Sequence, residues 1–401
     1  MRGGRGDRPA PNEVSVVWRQ DPGLAAPAEE GEAVTFAAPG HVTRLRVGDR
    51  AILHDARRQQ LFELNDTADL VWQALTSGAG VVGADRDLRR LGLAPAEARA
   101  HVCASAAAWM TAGLLAPCAA LREIAGVPDH RRRLHLDELS LEIAFHGLPP
   151  AACDLVARPF YGAGAPADRL SVVAHGDLFL FFLNGVIRSA CPGERLAPQF
   201  KALLTELYLG AVDGGFLAHG AMLVRDGRGL LLTGDPGAGK STLGLAMAAA
   251  GWTFGGDDIV RVWPDARASP VTFAACAKSG AWPLLDALWA GFAALPSWIR
   301  NDGQQVRYLL PPDLADRSPR TLDAVVVLSR ESGAPAGLHP LSPLDGLRAL
   351  VAGAHSGRWS LTGDALRALV DRLERIPCRR LVYSDAREAI PVLEGLALAP
   401  S

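Results

Sequence analysis

The sequence predicts an α/β protein in two unequal parts, and three observations carry that prediction. First, the apolar run "GLLLT" leads into "GDPGAGKST" and then "STLGLAMAAAG", which reads as strand, glycine-rich loop and helix with the pattern GxxxxGK[ST] from Gly234 to Ser241. Second, the adjacent carboxylates Asp257 and Asp258 follow "WTFGG" a short distance downstream. Third, from Val42 onward three short runs with alternating apolar positions precede helical patterns, as in a small α+β domain. The implied division is a flexible lead-in over residues 1–34, a small domain over 35–118, a linker over 119–134 and a P-loop region over 135–401.

Composition narrows the function classes. A chain of 401 residues accommodates two or three cores. Its formal net charge of −2 offers no electrostatic reason for nucleic acid or an anionic membrane as partner. Six cysteines without a CxxC pair suit reduced thiols rather than a disulfide framework or a zinc site. The first residues lack an apolar signal region, and no apolar run approaches the roughly 20 residues that span a bilayer. The expectation is a soluble, cytoplasmic protein with neither nucleic acid nor membrane as partner.

The small domain is read from local pattern. "VTRLRV", "RAILHD" and "QLFELN" form a three-stranded meander. A helix follows in "NDTADLVWQALTSG", with Asn65 or Asp66 as N-cap, Ala68, Val71, Trp72 and Leu75 on one face, and Gly78 as the stop. A second helix lies around "DRDLRRLG" and a third runs from Pro95 to Met110. "DHRRRLH", from Asp129 to His135, reads as a solvated linker face, with phosphate binding by its three arginines as the competing reading. Beyond it, "LSLEIAF" and "LFLFFLNGVI" are β-like and "LAPQFKALLTELYLGAV" is helical.

The glycine-rich loop has a physical use. Gly234, Asp235, Pro236, Gly237, Ala238, Gly239, Lys240, Ser241 and Thr242 form a tight turn whose amides, with the following helix N-terminus, favour phosphate. Lys240 is placed to contact the β- and γ-phosphates of ATP, and Ser241 to offer its hydroxyl to Mg²⁺. Of the paired carboxylates, one can anchor Mg²⁺ and the other can accept the proton of an incoming hydroxyl. His219, between apolar neighbours in "FLAHGAML", is by itself a core histidine.

The ordered set "AHG", "GLLLTGDPGAGKST" and "FGGDDIV" resembles the catalytic domain of HPr kinase/phosphorylase and its divergent relatives, closely over Leu217 to Val262 and loosely to Leu396. That resemblance implies a P-loop core over 217–396 of the fold shared with phosphoenolpyruvate carboxykinase, with transfer of phosphate to a serine hydroxyl. It implies Asp257 as base, Asp258 with Ser241 at the magnesium, and His219 near the phosphates, the division of roles between the two aspartates staying open. The glutamate-containing segment of HPr kinases is not evident; "VTFAACAKSGAWPLLDAL" stands there. Lys278 in that stretch and Arg307 in "QQVRYLLPP" resemble phosphate- or substrate-contacting residues of the divergent peptide-cluster kinases, with an ordinary surface charge as the competing reading of each. HPr kinases assemble as hexamers, so a homo-oligomer is a further open expectation.

His41 to Pro117, above all "LFELNDTADLVWQAL", resembles PqqD-like RiPP recognition elements. These are small winged-helix-like units that take a precursor's leader as an added strand beside the third strand, against the third helix. The expected partner is therefore a precursor (leader) peptide, recognised by β-augmentation. A DNA-reading winged helix needs a basic third helix, and "PAEARAHVCASAAAWM" supplies only Arg99 and His101. Together the two resemblances imply an ATP-dependent serine or threonine kinase that phosphorylates a ribosomally made precursor peptide. An ATP-binding peptide chaperone or scaffold, and a regulatory kinase acting on an HPr-like folded protein, are the alternatives.

Overall fold

In the computed structural model the described residues are 12–13, 35–118, 127–355 and 361–396, so most of the expected lead-in lies outside them. Two compact units result, one from Gln20–Asp154 with Phe160–Phe200, the other from Met1–Arg19, Leu155–Pro159 and Lys201–Ser401. The chain is mixed α/β with several sheets. Among the described residues no helix is long and apolar enough to cross a membrane.

In the first of these units the meander is present as Val42–Val47, Arg50–Asp55 and Gln60–Leu64, antiparallel and in that order, with Gln60–Leu64 at the edge. Asn65 caps the next helix, Asp66–Thr76, its side chain accepting from the Ala68 amide at 2.8 Å. The second helix begins earlier than the charge pattern suggests, at Gly80, because Val81, Ala84 and Leu88 recur at helical spacing and are buried. The third, Pro95–Thr111, is buried at Ala98, Val102, Cys103, Ala106, Ala107 and Met110, which recur at helical spacing along one broad face. The helix packs on the second helix and on the strand Val186–Pro192, and one apolar cluster runs from Phe36 through Trp72 and Met110 to Leu180 and Ala190.

That strand belongs to a five-stranded sheet in the order Val186–Pro192, Leu178–Leu183, Asp168–His175, Leu139–His146, His130–Leu136. The last strand occupies residues read from the sequence as linker. Leu134 and Leu136 turn inward, whereas Arg131 pairs with Glu142 and Arg132 with Asp154, both at 2.9 Å. Two of the three arginines are thus matched to carboxylates of their own unit. Consecutive arginines concealed a strand whose apolar alternation shows only at its end.

An ion pair braces the small domain. Arg44 Nε and Nη2 donate to the two oxygens of Asp69 at 2.6 Å each, and Gln73 adds a bond at 2.9 Å. The Arg44 hydrogen bond outweighs burial and holds the Asp69 carboxyl below its usual range. A carboxylate with a depressed folded pKa stabilises the fold above its unfolded value near 3.9, and that contribution is lost as pH falls through the folded pKa. Arg44→Met is therefore expected to cost roughly 1.5–3 kcal/mol at pH 7. The gap from the unsubstituted protein should narrow below about pH 4, as urea denaturation at the two pH values would measure.

The other unit is built on a nine-stranded sheet. Its central strand Arg320–Arg330 pairs in parallel with Arg228–Gly234 and with Cys378–Tyr383. Alternation decides the layers. Leu230, Leu232, Val326 and Leu328 face a cluster with Leu243 and Met247 of the helix Lys240–Ala249, whereas Leu231 and Val325 face Leu350, Leu369 and Leu373 from Pro343–Ala352 and Gly363–Arg375. Helices on both faces leave these strands apolar throughout, which is why "GLLLT" and "AVVVL" show no period of two.

Candidate functional site

The site gathers at one end of these strands. Arg228–Gly234 ends in Gly234, with φ +137° and a backbone so close to Leu328 that a Cβ would lie 2.7 Å from its carbonyl oxygen. The loop then exposes Asp235, Pro236 and Gly237 before Gly239, at φ +98°, opens the helix. A side chain at Gly239 would collide with the Tyr383 hydroxyl, which donates to the Ala238 carbonyl. Lys240 is 6% exposed, and its ammonium donates to the carbonyls of Gly234 and Asp235 at 2.8 and 3.1 Å. Burial lowers its pKa against the opposing charges of Asp258, Asp235 and Asp257, so those carboxylates act on the lysine across the site. Ser241 and Thr242, at the start of the helix, are half-buried.

Gly255 and Gly256 explain how the carboxylate pair is brought in. A Cβ on either would sit 2.8 Å from the Met222 carbonyl or 2.7 Å from that of Val271, so only glycines let this strand end thread between its neighbours. Asp257 and Asp258 follow directly. Asp257 is 4% exposed; its Oδ2 accepts from the Cys276 amide at 3.1 Å, and its Oδ1 accepts no hydrogen bond. Asp258 is more open and lies 3.3 Å from His219 Nδ1.

Two residues that sequence reasoning did not single out complete the cluster. Lys201, from the helix Leu196–Ala211, is 7% exposed and reaches both carboxylates, 3.8 Å to Asp257 Oδ1 and 3.5 Å to Asp258 Oδ2. It also donates to the Ala274 carbonyl at 3.4 Å and lies over the rings of Phe273 and Tyr308. Burial disfavours its charge, but the two aspartates more than offset this and hold its pKa above the ordinary lysine value. Burial likewise pushes Asp258 up, and Lys201 and His219 outweigh it, holding the carboxyl well below the usual range. His355 is the second. Its Nε2 lies 3.0 Å from the Asp258 carbonyl and 3.4 Å from His219 Nδ1.

The remaining sequence candidates stand apart from this cluster in character. Lys278 is exposed at the end of the strand Ala275–Lys278, and its charge acts on Lys240. Arg307 is stacked over Trp282, 4.2 Å from the ring centre, and directs Nη1 to the Phe292 carbonyl at 3.5 Å. Its guanidinium is committed to those rings.

A strand–loop–helix with a buried lysine, next to two carboxylates that differ in exposure and partners, can hold a polyphosphate with its magnesium and orient a hydroxyl beside it. The donors fit that group: a helix N-terminus without a side-chain cap, the Ser241 hydroxyl, and an Asp257 oxygen accepting no hydrogen bond. No family model matches the sequence, and no curated protein matches it. A solved structure of the Hpr(Ser) kinase/phosphatase from Coxiella burnetii aligns weakly, with 12% identity and a TM-score of 0.23 over 44% of this chain and 93% of that one.

Proposed function

We propose that the chain is an ATP-dependent serine or threonine kinase whose small N-terminal domain binds the leader of a ribosomally made precursor peptide. The observation that carries the kinase reading is the convergence of Lys240, Asp257 and Asp258 at the mouth of one glycine-rich loop. A buried base beside an open carboxylate suits activation of an incoming hydroxyl next to a metal-bound polyphosphate. Magnesium, held by Ser241 and Asp258, would neutralise charge on the phosphates. Lys240 would bind the β- and γ-phosphates, and Asp257 Oδ1 would take the acceptor's proton.

The leader reading is supported by the edge strand Gln60–Leu64, whose Leu61 is 67% exposed, and by the resemblance to leader-binding domains. An extended peptide there gains backbone hydrogen bonds, and Leu61 offers an apolar contact. Because Val186–Pro192 already covers one side of the helix Pro95–Thr111, the edge strand is the main recognition element in this proposal. Holding the leader on the same chain as the kinase would raise the acceptor to roughly millimolar effective concentration.

The test is incubation of the intact protein with γ-labelled ATP and the precursor peptide encoded beside it. Label on a serine or threonine of the peptide, lost when the leader is deleted, is the expected result. Peptide-stimulated hydrolysis without phosphopeptide would overturn the kinase reading in favour of a chaperone, and labelling of an HPr-like protein instead would overturn the peptide.

A further inference from the structure

We propose that Tyr383 is a positioning residue for the phosphate loop: its hydroxyl, donated to the Ala238 carbonyl, turns the peptide between Ala238 and Gly239 so that the Gly239 amide faces the bound phosphate. The inference rests on the reading of this loop as a polyphosphate site. It names a residue outside the glycine-rich motif on which that site depends.

The tyrosine comes from far along the chain. It ends the strand Cys378–Tyr383, which Arg320–Arg330 separates from Arg228–Gly234 in the sheet. The Glu331 amide donates to the Tyr383 carbonyl at 2.9 Å and fixes the strand end. The side chain is buried in the same apolar cluster as Ala238, Leu243 and Leu328. Burial pushes the pKa of its hydroxyl up to about 12, so the group is protonated at neutral pH and can donate.

A loop of this composition needs such a strut. Gly237 and Gly239 sit at φ +89° and +98°, where L side chains are disfavoured; they let the loop bend but leave its peptide planes free to turn. In a trans peptide the C=O and N–H point opposite ways. With the Ala238 carbonyl held by Tyr383, the Gly239 amide is directed to the other side, and among the described residues no group accepts from it. The reversed plane would turn a carbonyl oxygen toward the phosphate in place of a donor. The strut is possible only over a glycine, because a Cβ at 239 would collide with the hydroxyl.

The experiment titrates the full chain and Tyr383→Phe by calorimetry with tripolyphosphate and with ADP, each in the presence of Mg²⁺. Circular dichroism confirms that both proteins are folded at the assay temperature. Phenylalanine keeps the packing of the ring and removes only the donor. Both ligands are expected to bind Tyr383→Phe roughly 5–10-fold more weakly, and by the same factor. A role in packing alone leaves both affinities unchanged and would overturn the proposal. A loss confined to ADP would also overturn it, because it would place the hydroxyl at the nucleoside. On the unsubstituted protein, the Gly239 amide proton should move downfield in NMR spectra as tripolyphosphate binds, a readout that needs no variant. An amide unmoved by bound ligand would refute the orientation. If the unsubstituted chain binds neither ligand, the phosphate reading fails together with the proposal; unchanged affinity in Tyr383→Phe beside normal binding refutes the proposal alone.

Discussion

Asp257→Asn is expected to keep nucleotide affinity within about twofold while phosphoryl transfer falls by roughly 10²–10⁴-fold, the usual worth of a positioned base. Lys240→Ala is expected to lose both. The contrast follows from where the two groups stand. Lys240 is folded onto the carbonyls of Gly234 and Asp235, inside the loop that would carry the phosphates. Asp257 lies on a separate strand end, and its Oδ2 already accepts the Cys276 amide at 3.1 Å. An asparagine oxygen preserves that bond, so the substitution would remove the proposed proton acceptor while keeping the contact to Cys276. Nucleotide binding by calorimetry, beside labelled transfer, separates the two outcomes. Equal loss of affinity in both variants would contradict the base assignment.

Lys201→Met should cost roughly 3–5 kcal/mol of stability, because it strips the cation from two neighbouring carboxylates, one of them buried. The ammonium is 3.8 Å from Asp257 Oδ1 and 3.5 Å from Asp258 Oδ2, with aromatic rings over it, so little water can take its place. The cost then comes chiefly from the stranded charge of Asp257. It follows that Lys201→Met combined with Asp257→Asn should be more stable than Lys201→Met alone, and a double-mutant cycle by urea denaturation measures the coupling. Simple additivity would show that Lys201 serves packing alone.

Much of this site was legible in sequence because its parts are local. The loop from Gly234 to Thr242 declares itself by glycine spacing, and Asp257–Asp258 by adjacency after two glycines whose close backbone approach forbids side chains. Lys201 and His355 were not legible. The first looks like any polar residue in "PQFKALL", and the second sits in the featureless "GAHSG". Their roles arise from sheet order, which brings the helix Leu196–Ala211 and the segment after Pro343–Ala352 to the same carboxylate. The meander and first helix of the small domain were legible from alternation and an Asn cap. The strand His130–Leu136 was not, because three arginines occupy both of its faces.

The pairing of Arg228–Gly234 also bears on how the chain acquires its shape during synthesis. This strand takes its parallel partner from Arg320–Arg330, and the Gly229 amide is satisfied by the Asp323 carboxylate 94 positions later. A ribosome that has just released the glycine-rich loop has therefore not yet made the strand that supports it. Such distant closures form slowly and leave apolar edges open meanwhile. The small domain, whose meander and helices are contiguous, can begin to organise while that later half is still emerging.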